Sequence, residues 1–254
     1  MDISVSQYYS GISGLLLPVP NKTHYPTEFQ DRSRLCYYSS LLNSIEINSS
    51  FYKIPQAATL KKWFTEVPDD FKFTFKLFKG ITHQPGLNFD AAELSKFFDV
   101  IANVGHKKAC VLVQFPPSVR ISHFTQLQNL MASLRDCDPS NQWKIALEFR
   151  HTSLYTEEIT ELLTEYNLAS VIHDKGNASS PMHLDESPFV YLRFHGPGGN
   201  YKGSYSDALL AEYASYIKDW MEEGKTVFTY FNNTMGDAHG NLNMLQSMVK
   251  EGME

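Results

Sequence analysis

Short runs of apolar residues recur along the whole chain, each of strand length and each bounded by polar or turn-forming residues. Runs of this length that are rich in β-branched and aromatic residues predict β-strands. Eight such runs are present: YYSGIS (8–13), SIEIN (44–48), FKFTFK (71–76), ACVLVQF (109–115), KIALEF (144–149), ASVIHD (169–174), VYLRFH (190–195) and TVFTYFN (226–232). Most of the gaps between them hold about 20 to 35 residues, which is enough for a helix and two loops.

Segments with helical periodicity occupy most of those gaps. Helices are predicted at 27–42, 90–105, 122–136, 156–167 and 207–224. The second of these shows clear end signals, since it begins with Asp90 and ends in Gly105. The stretch KGNASSPMHLDESPF (175–189) is polar and interrupted by proline. The sixth connection between strands is therefore predicted to be a loop and not a full helix.

The alternation of strand and helix, repeated about eight times, is typical of a β/α barrel. An open doubly wound sheet is the alternative that the same pattern allows. The chain has 254 residues, and no linker rich in Pro, Gly or Ser separates two regions of different composition. We therefore predict one α/β domain, a TIM-like barrel spanning residues 1–254.

Polar residues fall on one face of the predicted strands, mostly near their C-terminal ends. Side chains alternate along a strand, so Leu192 and Phe194 share one face while Arg193 and His195 share the other. If helices cover the outside of the barrel, the polar face points into its interior. The C-terminal ends of barrel strands are where barrel enzymes hold their active sites.

These strand ends supply the candidate site residues. The acid–base candidates are Glu148, Asp174 and His195, and the ligand-binding candidates are Glu46, Asn48, Lys76, Gln114, Arg150, Arg193, Tyr201, Asn232 and Asn233. Arginine suits carboxylate or phosphate, and carboxylates and histidine move protons. The pattern leaves open whether His173 or Asp174 faces inward. It also allows purely structural ion pairs, Glu46 with Lys76 and Glu148 with Arg150.

Charge and composition argue against two classes of binding partner, nucleic acids and membranes. The net charge of −6 and the lack of a basic stripe make a nucleic acid partner unlikely. No stretch of 18 apolar residues is present and the N-terminus has no signal-peptide pattern, so no membrane association is expected. Three widely spaced cysteines predict free thiols in a reducing, cytoplasmic setting. The oligomeric state is not predicted.

Several motifs resemble the YecE-like family, known as domain of unknown function 72. They are SIEINSSFYKIP (44–55), VPDDFKFTFKLFKGITH (67–83), VLVQFPPS (111–118), ALEFRHTSLY (146–155), YLRFHGP (191–197) and YFNNTMGDAHGN (230–241). The resemblance implies a single TIM-like barrel and marks the polar strand ends as motif positions, but it implies no reaction. The chain departs from the family pattern in SGISGLLLPVPN (10–21), which lacks a tryptophan, and at Leu154, where the family often has one.

The leading functional hypothesis is an enzyme, a hydrolase or isomerase, that acts on a small anionic or sugar-like molecule in a polar pocket. The alternative is a non-catalytic ligand-binding or regulatory barrel. Glu46, Glu148, Asp174 and His195 have the ligand types of a divalent metal site, but adjacent arginines compete for the carboxylates. No cofactor is therefore predicted. The loop HGPGG (195–199) lacks a phosphate-loop spacing and is interpreted as the rim of the pocket.

Overall fold

The structure, a computed structural model, describes residues 8–182 and 187–251. In this part of the chain, eight parallel strands form a nearly closed barrel in the order β1-β8-β7-β6-β5-β4-β3-β2. The strands are β1 (Tyr8–Ile12), β2 (Ser44–Ile47), β3 (Lys72–Lys76), β4 (Lys108–Gln114), β5 (Lys144–Glu148), β6 (Ala169–His173), β7 (Phe189–Phe194) and β8 (Thr226–Phe231). The predicted TIM-like barrel and all eight predicted strands are confirmed.

The first and second strands complete the barrel through a single bridge and several side chains. Ser13, just after β1, forms the bridge with Glu46 of β2. Below it, the Asn43 side chain accepts a hydrogen bond from the Ser10 amide at 2.9 Å and donates to the Tyr8 carbonyl at 2.9 Å. The amide of Asn43 therefore supplies the pairing that a regular ladder would give.

Two further residues hold these strands close together. The Tyr38 hydroxyl accepts from the Ile12 amide at 2.8 Å and donates to the Ser44 carbonyl at 3.0 Å. A Cβ atom at Gly11 would lie 2.1 Å from the Ser44 carbonyl oxygen, so a side chain at Gly11 would force the strands apart. The close approach that closes the barrel thus depends on this glycine.

Helices and one-turn helical segments connect the strands. They are α1 (Arg34–Leu41), α2 (Ser49–Tyr52), α3 (Ala57–Glu66), α4 (Lys79–Thr82), α5 (Ala91–Ile101), α6 (Phe124–Cys137), α7 (Glu157–Glu165), α8 (Asp207–Glu222) and α9 (Ala238–Lys250). Side-chain caps fix several starts: Asp90 accepts from the Ala92 amide, and Ser206 from the Leu209 amide. Four of these helices, α2, α3, α4 and α9, lie outside the segments predicted to be helical. Between β6 and β7 the described residues form a 3₁₀ turn at Gly176–Ala178, which agrees with the predicted loop.

The alternation of side chains along the strands separates two apolar layers. Leu192 and Phe194 belong to the outer layer beneath the helices, where the Phe194 ring lies 4.8 Å from the ring of Tyr213 on α8. A second cluster, which includes Tyr191 and Tyr230, fills the barrel interior. The middle of the barrel is therefore a packed core, and the polar cluster lies at the C-terminal ends of the strands. No helix of the described residues is long and apolar enough to cross a membrane.

Candidate functional site

Arg193 is the centre of a buried polar cluster at the C-terminal ends of the strands. Its Nε donates to Glu46 Oε2 at 3.0 Å and its Nη2 to Glu46 Oε1 at 2.8 Å. Its Nη1 donates to Glu148 Oε2 at 3.1 Å. Arg193 is 2% exposed and both glutamates are 0% exposed. Burying an unpaired charge costs several kcal/mol of desolvation free energy. By pairing with both carboxylates, Arg193 offsets this cost for the two glutamates.

Several buried hydroxyl groups lie next to the Glu46 carboxylate. Tyr191 donates to Glu46 Oε2 at 2.5 Å. The ring of Tyr230 lies 5.3 Å from that of Tyr191, and its hydroxyl is 2.6 Å from Ser44 Oγ and 2.7 Å from Thr74 Oγ1. These groups come from strands β2, β3, β7 and β8. Among them, Tyr191 contacts the carboxylate directly, and the hydroxyls of Ser44 and Thr74 fix the neighbouring Tyr230.

Glu148 is held by a second arginine. Arg150 Nη2 forms an ion pair with Glu148 Oε1. Burial would raise the pKa of Glu148, but the attraction of Arg193 and Arg150 outweighs it and holds that pKa well below its usual range. Burial is likewise outweighed by Arg193 at Glu46, whose pKa is lowered. Both glutamates are therefore ionised at neutral pH, and neither is a strong base.

The imidazole of His195 is neutral and has a defined tautomer. Arg193 Nη1 and Arg150 Nη2 lie 2.8 Å and 3.1 Å from His195 Nε2. A guanidinium can donate but cannot accept, so Nε2 accepts and the ring proton is on Nδ1. Nδ1 faces Asp174 Oδ1 at 3.4 Å. Burial lowers the pKa of His195 to about 4, although Asp174 and Glu148 oppose that shift.

His173, the last residue of β6, faces inward, whereas Asp174, which follows it, does not. The Nε2 atom of His173 lies 2.9 Å from the Phe149 carbonyl, and its ring lies 5.7 Å from the ring of His195. Asp174 turns toward the loop after β7, where Oδ1 accepts from the His195 amide at 2.6 Å and Oδ2 accepts from the Tyr205 hydroxyl. Asp174 therefore reaches the cluster at its edge, through His195.

Lys76 is the cation of this cluster that lies nearest to open space, since it is half-buried at the end of β3. Its ammonium lies 4.2 Å above the Phe51 ring. In the described part of the chain, no carboxylate oxygen lies within 4.0 Å of Nζ. Burial, assisted by repulsion from Arg193, lowers the pKa of Lys76 to about 8 against the pull of Glu148 and Glu46.

The uncharged candidates form part of the same rim. Asn48 donates to Ser13 Oγ at 2.7 Å, while its Oδ1 is buried and has no hydrogen-bond partner among the described residues. Gln114 pairs in register with Glu148 and donates to the Phe115 carbonyl at 2.6 Å. Carbonyl oxygens of these two amides are left to accept a hydrogen bond from a ligand.

Asn232 and Asn233 have different surroundings. Asn232 continues the inward face of β8 and is 8% exposed, and its side chain makes no hydrogen bond to a described residue. Asn233 is fully buried away from the cluster, where Nδ2 donates to the Gly203 carbonyl at 3.1 Å and to Asn241 Oδ1 at 3.0 Å. The structure thus places Asn232 beside the cluster and gives Asn233 contacts that fix the start of α9.

Tyr201 lies over the cluster on the loop that follows β7. Its amide donates to the His195 carbonyl at 2.6 Å, and its ring lies 5.8 Å from the His195 ring. Lys175 Nζ lies 3.6 Å from the centre of the Tyr201 ring. The tyrosine has a positive φ of 70°, which is costly for a residue with a side chain, so the surrounding contacts hold this loop in place.

The structure also shows which residues the sequence analysis missed. Ser13 and Phe51 contact the cluster, and neither was a candidate. His173, which the pattern leaves open as an alternative to Asp174, contacts the His195 ring. The alternative ion pair of Glu46 with Lys76 is not formed, since Glu46 is bound by Arg193, whereas the pair of Glu148 with Arg150 is present. Within the described residues, no group of three or more His, Cys, Asp or Glu side chains is arranged to hold a metal ion.

Fold and site together define a TIM-like β/α barrel with a charged cluster at the C-terminal ends of its strands. A family model described as "Protein of unknown function DUF72" matches residues 9–254. The chain therefore belongs to the DUF72 family, and the resemblance that its motifs indicated is confirmed.

Two curated proteins and one solved structure show what the chain is similar to. UPF0759 protein YunF of Bacillus subtilis (strain 168) is 29% identical over 251 residues, covering 85% of this chain and 86% of YunF. UPF0759 protein YecE of Escherichia coli (strain K12) is 22% identical over 158 residues, covering 62% of this chain and 54% of YecE. The crystal structure of a DUF72 family protein from Thermotoga maritima MSB8 is 22% identical and superposes with a TM-score of 0.78, covering 96% of this chain and 99% of that one. This last likeness shows a shared fold.

Proposed function

We propose that the chain is an enzyme that acts on a small anionic, hydroxyl-bearing molecule bound above the polar cluster. The charge balance of the cluster carries this proposal. Glu46 and Glu148 are each bound by arginine, whereas Lys76 has no carboxylate oxygen within 4.0 Å in the described part of the chain. An anion is the ligand that would neutralise this remaining positive charge.

Groups on the rim suit the rest of such a ligand. Arg150 Nη1 makes no hydrogen bond to a described residue and can donate to an oxygen of a carboxylate or phosphate. Asn48, Gln114 and Asn232 offer amide groups that can bind hydroxyl or carbonyl oxygens. The few polar groups around one cationic point are typical of sites that fix the orientation of a small molecule.

Proton transfer is supported best for the groups at the edge of the cluster. The clamped carboxylate of Glu148 is a weak base, because two arginines stabilise its ionised form. Asp174 lies beside the Nδ1 proton of His195, and the pKa of Lys76, about 8, is near neutrality. A hydrolase or an isomerase needs an acid and a base of this kind. We assign that chemistry to Asp174, His195 and Lys76, with Glu148 as the group that orients Arg150 and Arg193.

Calorimetric titration with inorganic phosphate, sugar phosphates and small carboxylates tests the binding part of this proposal. We expect Lys76→Gln and Arg150→Gln to weaken anion binding by about tenfold each, which corresponds to about 1.4 kcal/mol. Lys144→Gln is the matched control, because Lys144 begins β5 at the opposite end of the barrel. Unchanged affinity in both rim variants would contradict the proposed anion site.

Turnover is tested with the molecule that binds best. Proton and phosphorus NMR of that ligand with the wild-type protein should show new signals that the Asp174→Asn variant forms at least tenfold more slowly. Binding without any conversion would overturn the enzymatic part of the proposal and favour a ligand-binding barrel.

A further inference from the structure

Lys76 differs from the other cations of the cluster in its partners. Arg193 and Arg150 are bound to carboxylates, whereas no hydrogen bond or ion pair of Lys76 Nζ is present among the described residues. The lysine ends β3 on the inward face, one position beyond the last residues that pair with β2. Its amine therefore projects into the space where the proposed ligand would lie.

An aromatic ring covers the amine on one side. The short helix α2 follows β2 directly and places the Phe51 ring 4.2 Å from Nζ. The Ser50 hydroxyl fixes this arrangement, since it donates to the Ile47 carbonyl at 2.7 Å or to the Lys76 carbonyl at 2.6 Å. The Phe51 ring in turn meets His83 edge-on at 4.9 Å. The ring keeps water from one side of the amine, which favours a nucleophilic lysine, although its face also attracts the ammonium form.

Burial favours the neutral amine of Lys76, and the surrounding charges act on its pKa in both directions. The groups that act on Lys76 are Arg193, Arg150, Glu148 and Glu46, and His83 is the titratable neighbour on the side of Phe51. The two arginines act in the same direction as burial, whereas Glu148 and Glu46 oppose it. With a pKa of about 8, about one tenth of the Lys76 side chains are uncharged at pH 7, compared with about one in 3,000 at the ordinary value of 10.5.

We propose that the Lys76 amine is a nucleophile that forms an imine with an aldehyde or ketone group of the bound anion. This inference rests on the proposed function, because the anion site brings the carbonyl to the amine, and it narrows the substrate to anionic carbonyl compounds. Phosphorylated aldehydes or ketones and 2-oxo acids share that chemistry.

The step balances without an oxidant or a metal. The nitrogen lone pair of Lys76 forms a bond to the carbonyl carbon, and one proton passes from the nitrogen to the carbonyl oxygen. The second nitrogen proton then passes to the same oxygen, the C–O bond breaks, and the oxygen leaves as one molecule of water. The C=N double bond that results can be protonated and then withdraws electrons from the neighbouring carbon, which is the usual purpose of such a lysine.

Reductive trapping tests the inference. The protein is incubated at pH 7.5 with sodium cyanoborohydride and either dihydroxyacetone phosphate or pyruvate, and the modified peptide is identified by mass spectrometry. We expect adduct formation on Lys76 at least tenfold faster than on Lys79, an exposed lysine three residues further on. The phosphate arm and the carboxylate arm show which anion the site prefers.

Two variants control the trapping. Lys76→Arg keeps the positive charge and should abolish rapid labelling while the protein stays folded by circular dichroism. Lys79→Arg should leave the labelling of Lys76 unchanged. If the wild-type protein binds these anions in calorimetry but Lys76 is labelled no faster than Lys79, imine formation at Lys76 is wrong. The proposed anion site is then still supported. If neither anion binds nor labels Lys76, the inference and the proposed site both fail.

Discussion

The two ends of the barrel interior are both polar, but their polar groups are held in different ways. At the N-terminal end, Lys72, Lys108 and Lys144 begin three neighbouring strands and are half-buried. Lys72 donates to the His106 carbonyl at 3.0 Å and Lys108 to Gln142 Oε1 at 2.5 Å. All three ammonium groups keep access to water, and the hydrogen bonds of Lys72 and Lys108 go to neutral groups.

At the C-terminal end the charges are buried and depend on each other. Arg193 contacts Glu46 on one side of the barrel and Glu148 on the other, and all three are at most 2% exposed. The comparison shows that an inward polar residue is by itself uninformative about function. What distinguishes the C-terminal end is a set of mutually compensating buried charges with one cation, Lys76, that lacks a carboxylate partner in the described part of the chain.

The largest effect is expected for Arg193→Met. This change leaves the carboxylate of Glu46 buried without its partner and removes one of the two arginines of Glu148. We expect the free energy of unfolding to fall by about 3–5 kcal/mol, as measured by urea denaturation. The control is Lys108→Met at the opposite end, which also replaces a cation by methionine. Its free energy of unfolding should fall by less than about 1 kcal/mol. Similar losses in the two variants would remove the distinction between the ends.

A smaller effect follows from the pKa of His195. Burial lowers this pKa from 6.5 to about 4 in the folded protein, so the unfolded chain binds more protons between these two values. The free energy of unfolding therefore falls as the pH drops through this window, by up to about 3 kcal/mol in total. The lowered pKa values of Glu46 and Glu148 act in the same direction at lower pH, since their ion pairs are lost on protonation.

The variant His195→Gln isolates the contribution of the histidine. Its side-chain oxygen can accept from Arg193 and Arg150 as Nε2 does, and it does not titrate. Urea denaturation at several pH values between 7.5 and 4.5 should give a flatter pH dependence for the variant than for the wild-type protein. Parallel curves would show that His195 has an ordinary pKa and is not the neutral group inferred here.

Much of this arrangement could be predicted from the sequence, because strand periodicity fixes which side chains share a face. That rule placed Glu46, Glu148, Arg193 and His195 on the inward side, and the structure brings their polar atoms together. The rule needs one polar and one apolar face, and β6 has apolar residues, Val171 and Ile172, on both of its faces. The sequence therefore leaves the choice open, and the structure puts His173 inward on the face of Val171, while Asp174 turns to the next loop.

Contacts between distant segments are the other part that periodicity could not supply. The partner of Glu46 is Arg193 and not Lys76, because the charged end of Arg193 reaches across the barrel from β7. Alternation turns Asn233 away from the side of Asn232, but its partner Asn241, on α9, could not be predicted from the strand pattern. Phe51 covers Lys76 through α2, a one-turn helix too short to leave a periodic pattern in the sequence.

The smallest effect is expected at the N-terminal end of the barrel. Lys72→Met and Lys144→Met remove ammonium groups that are half-exposed and that form no ion pair within the described residues. Each should change the free energy of unfolding by no more than about 0.5 kcal/mol. A charge that stays in contact with water contributes little to stability, so its removal costs little. Anion affinity measured by calorimetry should stay within twofold of the wild-type value in both variants. A tenfold loss of affinity in either one would move the anion site to the N-terminal end, where these lysines and not Lys76 would hold the ligand.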